Sequence, residues 1–159
     1  MRAGAVLFDA YGTLFDVHSV IATAESFFPG RGAALSQAWR ARQLEYTWLR
    51  TLSSRYRDFW QVTGDALHWA SAALALPLTP EQHAALLDAY LHLQPFPENL
   101  EVLRALSAQG TILGTLSNGT PTMLDAALRS AGMEALITHV LSVDTVGRYK
   151  TDPAAYALG

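Results

Sequence analysis

The run Ala3-Gly-Ala-Val-Leu-Phe8, closed by Asp9 and broken at Gly12, constrains this chain more than any other stretch. An uninterrupted apolar run of that length with glycine after it predicts a strand buried on both faces, as in a parallel sheet. Open parallel sheets place their sites beyond the C-terminal ends of strands, which makes the carboxylate of Asp9 the first candidate for chemistry. An Asp in such a place also serves as a helix cap or turn residue, and spacing alone leaves both readings standing.

From Asp16 to about residue 92 the pattern turns helical and stays so. Helices are expected over 19–28, capped by Ser19 and stopped by Pro29-Gly30, and over 33–52, 56–76 and 80–93. The last of these opens on Thr79-Pro80-Glu81-Gln82, which has the capping-box form with proline at the first helical position. All four tryptophans (Trp39, Trp48, Trp60 and Trp69) fall in this block, and their spacing reads as packing between helices. After the rigid link Gln94-Pro95-Phe96-Pro97 the pattern becomes α/β: a helix over 98–109, strands over 111–117 and 139–143, a helix over 121–131, and a last helix opened by Pro153. Three strands separated by helices imply right-handed parallel crossovers with the strand ends on one edge. The expected architecture is an α/β core, residues 1–15 and 93–159, with a helical subdomain, residues 16–92, inserted after the first strand as a lid.

The bulk properties narrow the partners. Half the residues are hydrophobic, enough for a true core, and a net charge of −3 without a basic cluster argues against nucleic acid and membrane surfaces. Charged residues make up only 16%, so an apolar face covered by a second copy is expected, as a homodimer. The absence of cysteine excludes thiolate chemistry and fits a cytoplasmic setting, and no signal peptide or apolar span is read. The five histidines lack metal-ligand spacing, Pro29-Gly-Arg-Gly32 is too short a glycine pair for a phosphate loop, and the Asn118-Gly-Thr120 sequon is discounted.

Topology would bring Asp9, Ser117-Asn118 and Lys150 together, since each follows a strand. A carboxylate held there can attack carbon or phosphorus and form an ester or acyl phosphate that water later cleaves. Lys150 would favour its charged form, and the hydroxyls of Thr13 and Ser117 would orient its oxygens. On the second helix Arg40, Leu44 and Trp48 share one face. Arg40 there is either an anion-binding fork or a snorkelling side chain on a half-buried helix.

Four motifs carry a resemblance: FDAYGTLFDV at residues 8–17, WRARQLEYTWLR at 39–50, LSNG at 116–119 and YKTDPAAY at 149–156. In order along the whole chain they resemble the L-2-haloacid dehalogenases of the haloacid dehalogenase superfamily. The resemblance implies a Rossmann-like core with a helical cap, and these roles. Asp9 attacks C2 of a short L-2-haloacid with inversion, giving an ester that water hydrolyses to a D-2-hydroxy acid. Arg40 and Asn118 receive the halide, Ser117 and backbone amides hold the substrate carboxylate, and Lys150 and Thr13 keep Asp9 charged and oriented. Tyr11, Leu44 and Phe59 wall the substrate, and Tyr156 supports the site. The partners implied are the small haloacid and water; no metal or other cofactor is implied.

Superfamily phosphatases usually carry a second Asp two residues after the nucleophile, to protonate a leaving alkoxide. Here that position is Tyr11, and a halide leaves without a proton. Three departures from the family pattern stand beside this: Ala41 replaces a common Gln, Thr151 replaces a Pro, and the family's fourth motif would lie beyond residue 159. The expectation is therefore a core lacking its last strands, the Asp9 strand at an exposed edge, and little or no turnover. The competing readings are a Mg2+-dependent phosphatase of the same superfamily and a non-catalytic fragment or interaction module.

Overall fold

The computed structural model describes residues 4–159, so Ala3, at the start of the expected first strand, lies outside the described residues. Three parallel strands, β1 (Ala5–Phe8), β2 (Ile112–Ser117) and β3 (His139–Ser142), pair in the order β1-β2-β3. Phe8 lies opposite Thr115 and Ser117 opposite Ser142, so the strands finish close to one level.

β2, with a neighbour on each side, is buried from Leu113 to Ser117. β1 differs from the two-sided burial that its apolar run suggests and agrees with the edge position expected from the resemblance. Among the described residues it pairs with β2 alone, its burial alternates along the strand, and Leu7 is 41% exposed. Continuous apolarity gives no sign of how many neighbours a strand has; that is settled by sheet order.

Four helices, α1 (Ile21–Phe27), α2 (Gly32–Leu52), α3 (Phe59–Ala73) and α4 (Pro80–Leu91), lie between β1 and β2. Their boundaries follow local chemistry. Thr79 and Gln82 form the expected capping box at α4. Asp58 accepts from the Gln61 amide at 2.8 Å and starts α3 later than its apolar pattern suggests. Ser19 does not cap α1: its hydroxyl donates to the Asp16 carbonyl at 2.8 Å and accepts from the Gln94 amide at 3.1 Å. The carboxylate of Glu25 accepts from the Gly30 and Gly32 amides at 2.6 and 2.8 Å, serving donors where the start of α2 lacks a side-chain cap.

Entry to and exit from this helical block are tied together. The Asp16 amide donates to Gln94 O at 2.8 Å, the Phe96 amide to Leu14 O at 3.2 Å, and Asn99 Nδ2 to the carbonyls of Thr13 and Leu14. Beyond this junction, α5 (Asn99–Ala108) leads to β2 and α6 (Pro121–Ser130) to β3, with a short 3-10 turn (Val143–Thr145) and α7 (Pro153–Tyr156) after it. One continuous apolar core runs through block and sheet, from Leu35, Trp39, Phe59 and Leu67 to Tyr11, Phe15, Leu113, Leu124 and Tyr149.

Candidate active site

Asp9 stands one residue past β1, and the chain turns immediately. Gly12 adopts φ +98°, a conformation L side chains rarely enter, and its amide donates to Phe15 O at 2.8 Å. The turn buries Tyr11 and leaves the Asp9 carboxylate half open.

Lys150 arrives from the opposite side of the sheet end. Its Nζ donates to Asp9 Oδ1 at 2.8 Å and to the carbonyl of Leu116, while its amide donates to Asn118 Oδ1 at 3.0 Å. The end of β2 and the residue that follows it thus position the lysine through both its side chain and its backbone. That segment is itself pinned: Ser117 Oγ accepts from the Gly119 amide at 3.1 Å, and Ser142 Oγ donates to Gly119 O at 2.6 Å. Gly119 is required by close approach, because a Cβ there would meet Tyr11 Cε2 at 2.7 Å.

The helical block closes the other side. Arg40 on α2 donates from Nη2 to Tyr11 O at 2.9 Å and from Nη1 to Gln43 Oε1 at 2.7 Å. Tyr11 stacks on Tyr90, with ring centroids 5.7 Å apart and planes at 20°, and tilts against Phe59 at 5.4 Å. Its hydroxyl is buried without a partner. Burial, with Tyr90 and Asp9 adding, pushes the Tyr11 phenol well above its ordinary range against the pull of Arg40, so this side chain keeps its proton at ordinary pH.

Together these side chains enclose a cavity of about 330 Å³. Of the residues singled out from sequence, Asp9, Tyr11, Arg40, Leu44, Phe59, Ser117, Asn118, Lys150 and Tyr156 all line it. Thr13 is not among the lining residues: it is exposed, and its carbonyl accepts from Asn99 Nδ2 at 2.8 Å. Trp48 and Thr151 complete the lining. The packing role expected of the tryptophans fits the buried Trp39, whereas Trp48 is 49% exposed at the cavity and Trp69 carries the Arg42 guanidinium 3.4 Å above its ring. The shared face of Arg40, Leu44 and Trp48 was the signal for Trp48. Gln43, three residues from Arg40 on the helix, carried a similar one. A larger groove, about 680 Å³, lies between the end of α3 and the start of α4, but its lining, which includes His68, Leu76 and His83, holds neither a carboxylate nor a Lys or Arg.

The block is latched to the core beside Lys150. Tyr56 Oη donates to Asp144 Oδ1 at 2.7 Å, Tyr149 Oη to Arg57 O at 2.5 Å, Arg148 Nη1 to Thr51 O at 2.9 Å and the Tyr149 amide to Thr51 Oγ1 at 3.1 Å. Arg40, carried on the latched block, and Lys150, carried on the core, thus line the cavity that holds Asp9.

An aspartate at the end of the first strand of a parallel sheet, facing a lysine and roofed by inserted helices, is the framework of a capped α/β hydrolase. The family model for haloacid dehalogenase-like hydrolases matches residues 3–159. The chain belongs to that family, in its L-2-haloacid dehalogenase branch. It is 48% identical over 153 residues to the (S)-2-haloacid dehalogenase of Pseudomonas sp. (strain YL), covering 96% of this chain and 66% of that one. A solved L-2-haloacid dehalogenase superposes with a TM-score of 0.96 at 55% identity, over all of this chain and 72% of that one. The L-2-haloacid dehalogenase of Xanthobacter autotrophicus, solved with chloropropionic acid covalently bound, superposes with a TM-score of 0.92 at 43% identity, over 99% of this chain and 63% of that one. The chain spans about two thirds of the length of the curated relatives it matches.

Proposed function

We propose that the cavity hydrolyses short L-2-haloacids to D-2-hydroxy acids through an ester on Asp9. The observation that carries the reading is the pairing of Asp9 with Lys150 in a cavity whose other cation is Arg40, with the neutral Tyr11 where a phosphatase would need a second acid.

The chemistry follows from the charges. An Asp9 oxygen attacks C2, the carbon–halogen bond breaks, and the halide departs with the bonding electron pair toward Arg40 and Asn118. Ser117 and neighbouring backbone amides hold the substrate carboxylate, while Tyr11, Leu44 and Phe59 press on its alkyl side and Tyr156 supports the mouth. Water then attacks Cγ of the Asp9 ester, the hydroxy acid leaves with a proton from that water, and the second proton goes to solvent as Asp9 returns to its charged form. Lys150 keeps Asp9 ionised and aimed in both halves. Holding oxygen and carbon in attack geometry is worth roughly 7 to 11 kcal/mol, the largest contribution such a site supplies. The chloropropionic acid covalently bound in the Xanthobacter structure supports an ester route.

The division into a core (residues 1–15 and 93–159) and a cap (16–92) belongs to this reading, supported by the hydrogen bonds that tie the entry and exit segments of the helical block together. So does a homodimer, for which Leu49 and Leu52 offer exposed apolar surface on α2, and a cytoplasmic setting, which the lack of cysteine fits. Among the described residues no helix is long and apolar enough to cross a membrane.

The test is halide release from the two enantiomers of 2-chloropropionate, with mass spectrometry of the protein after a brief reaction. An adduct on the peptide containing Asp9, formed with the L enantiomer and absent in Asp9→Asn, is the expected result. Phosphate release from phosphomonoesters that requires Mg2+, with no adduct, would sink it.

A further inference from the structure

Behind Arg40 lies a buried polar relay contributed by three helices. Gln43 and Thr63 are fully buried and Tyr90 nearly so. Gln43 Oε1 accepts from Arg40 Nη1 at 2.7 Å and from Tyr90 Oη at 3.0 Å. Gln43 Nε2 donates to Thr63 Oγ1 at 2.7 Å, and that hydroxyl has committed its own proton to Phe59 O at 2.6 Å. The amide can therefore sit only one way round. Its oxygen faces the Arg40 guanidinium, which can only donate, and its nitrogen faces an oxygen with no proton to give.

The consequence falls on the guanidinium. It has five N–H groups in one plane. Gln43 Oε1 takes one on Nη1 and Tyr11 O takes one on Nη2, so two acceptors on different nitrogens fix the plane and leave three donors for an anion in the cavity. Both acceptors are rigid: one is backbone, the other is locked by the relay. We propose that Gln43 is a positioning residue for Arg40, and that the Thr63–Gln43–Tyr90 relay sets the angle at which the guanidinium meets the departing halide. This rests on the reading of Arg40 as the halide-receiving group.

The test measures halide binding apart from turnover. Line broadening of chloride-35 NMR by the protein, competed with bromide, reports the anion site, and halide release from L-2-chloropropionate reports the reaction. Gln43→Met keeps length and volume but removes the acceptor. It is expected to weaken chloride binding by about 10-fold, in the way outer-shell partners act on a bound ion, and to lower kcat by about 100-fold with a smaller change in KM. In an Arg40→Lys background the same substitution should cost nothing further. If the two losses multiply, or if Gln43→Met keeps chloride binding and kcat within about 3-fold, the proposal is overturned. Should Gln43→Met fail to fold, Thr63→Val removes the acceptor that keeps the amide turned, and unchanged chloride binding in that variant overturns it equally.

The two ideas fail separately. Chloride binding that depends on Gln43, without halide release from any haloacid, leaves the positioning role standing and removes the reaction. Halide release that Gln43→Met does not alter does the reverse, and an unaltered chain that neither binds chloride nor releases halide overturns both.

Discussion

Arg40 and Tyr11 are joined across the boundary between helical block and sheet: Arg40 Nη2 donates to the Tyr11 carbonyl at 2.9 Å. Tyr11 is two residues beyond Asp9, so one short turn sets the positions of both the carboxylate and the cation that faces it. The arrangement makes the placement of Arg40 relative to Asp9 depend on how the block seats on the core.

The Asp9–Lys150 pair should matter far more to reaction than to folding. It is partly exposed, and such pairs contribute at most about 1 kcal/mol to stability. Lys150→Met is expected to lower halide release by at least about 100-fold through misplacement of Asp9, while the urea midpoint moves little. Parallel loss of both would show that the pair is chiefly structural.

Gly119→Ala should act through Tyr11. The added methyl would sit 2.7 Å from Cε2 and 3.1 Å from Oη of that ring, which packs against Phe59 and Tyr90 and cannot swing clear. A loss of about 1–3 kcal/mol by urea unfolding is expected, as for overpacked cores. Tyr11→Phe is the counterpart: it removes a buried hydroxyl without a partner and is expected to leave stability unchanged or raise it by about 1 kcal/mol.

Alkaline pH should unfold the protein through its buried phenols. Burial raises Tyr11, Tyr90 and Tyr149 above the ordinary tyrosine value, so the folded state keeps protons that the unfolded chain loses. Their contribution is complete below about pH 10 and declines above it, each removing about 1.4 kcal/mol per pH unit until its folded-state value is reached. Urea midpoints measured from pH 8 to 11 should hold level and then fall steeply; a flat profile to pH 11 would contradict the burial of these groups.

Tyr56→Phe removes one latch, the 2.7 Å bond to Asp144. The expected cost in stability is about 1 kcal/mol. Hydrogen exchange should quicken at the amides of Tyr149 and Lys150, which are bonded to Thr51 and Asn118, and stay unchanged in the centre of β2. Uniform quickening would mean that the latch serves global stability alone.

Much of this was legible in residues taken alone. Turn glycines, prolines and capping residues marked most helix ends, as at Thr79 and Pro153, because these signals are local and depend on a few neighbouring dihedrals. Strands followed by polar residues located Asp9, Ser117, Asn118 and Lys150, because a parallel sheet gathers such ends by topology. Ser19 was misplaced for the opposite reason: a hydroxyl near a helix start has several partners within reach, and only the folded chain selects one, here the Asp16 carbonyl.

By itself, then, the sequence determined the alternation of strand and helix, the polar strand ends, and an arginine stripe on α2, all of them consequences of periodicity and short-range stereochemistry. Tertiary structure alone decided that Gln43 on α2, Thr63 on α3 and Tyr90 on α4 converge behind Arg40, and that Tyr56 on the helical block reaches Asp144 on the core. Those contacts join residues 20 to 88 positions apart, where no local preference acts and the satisfaction of buried polar groups does.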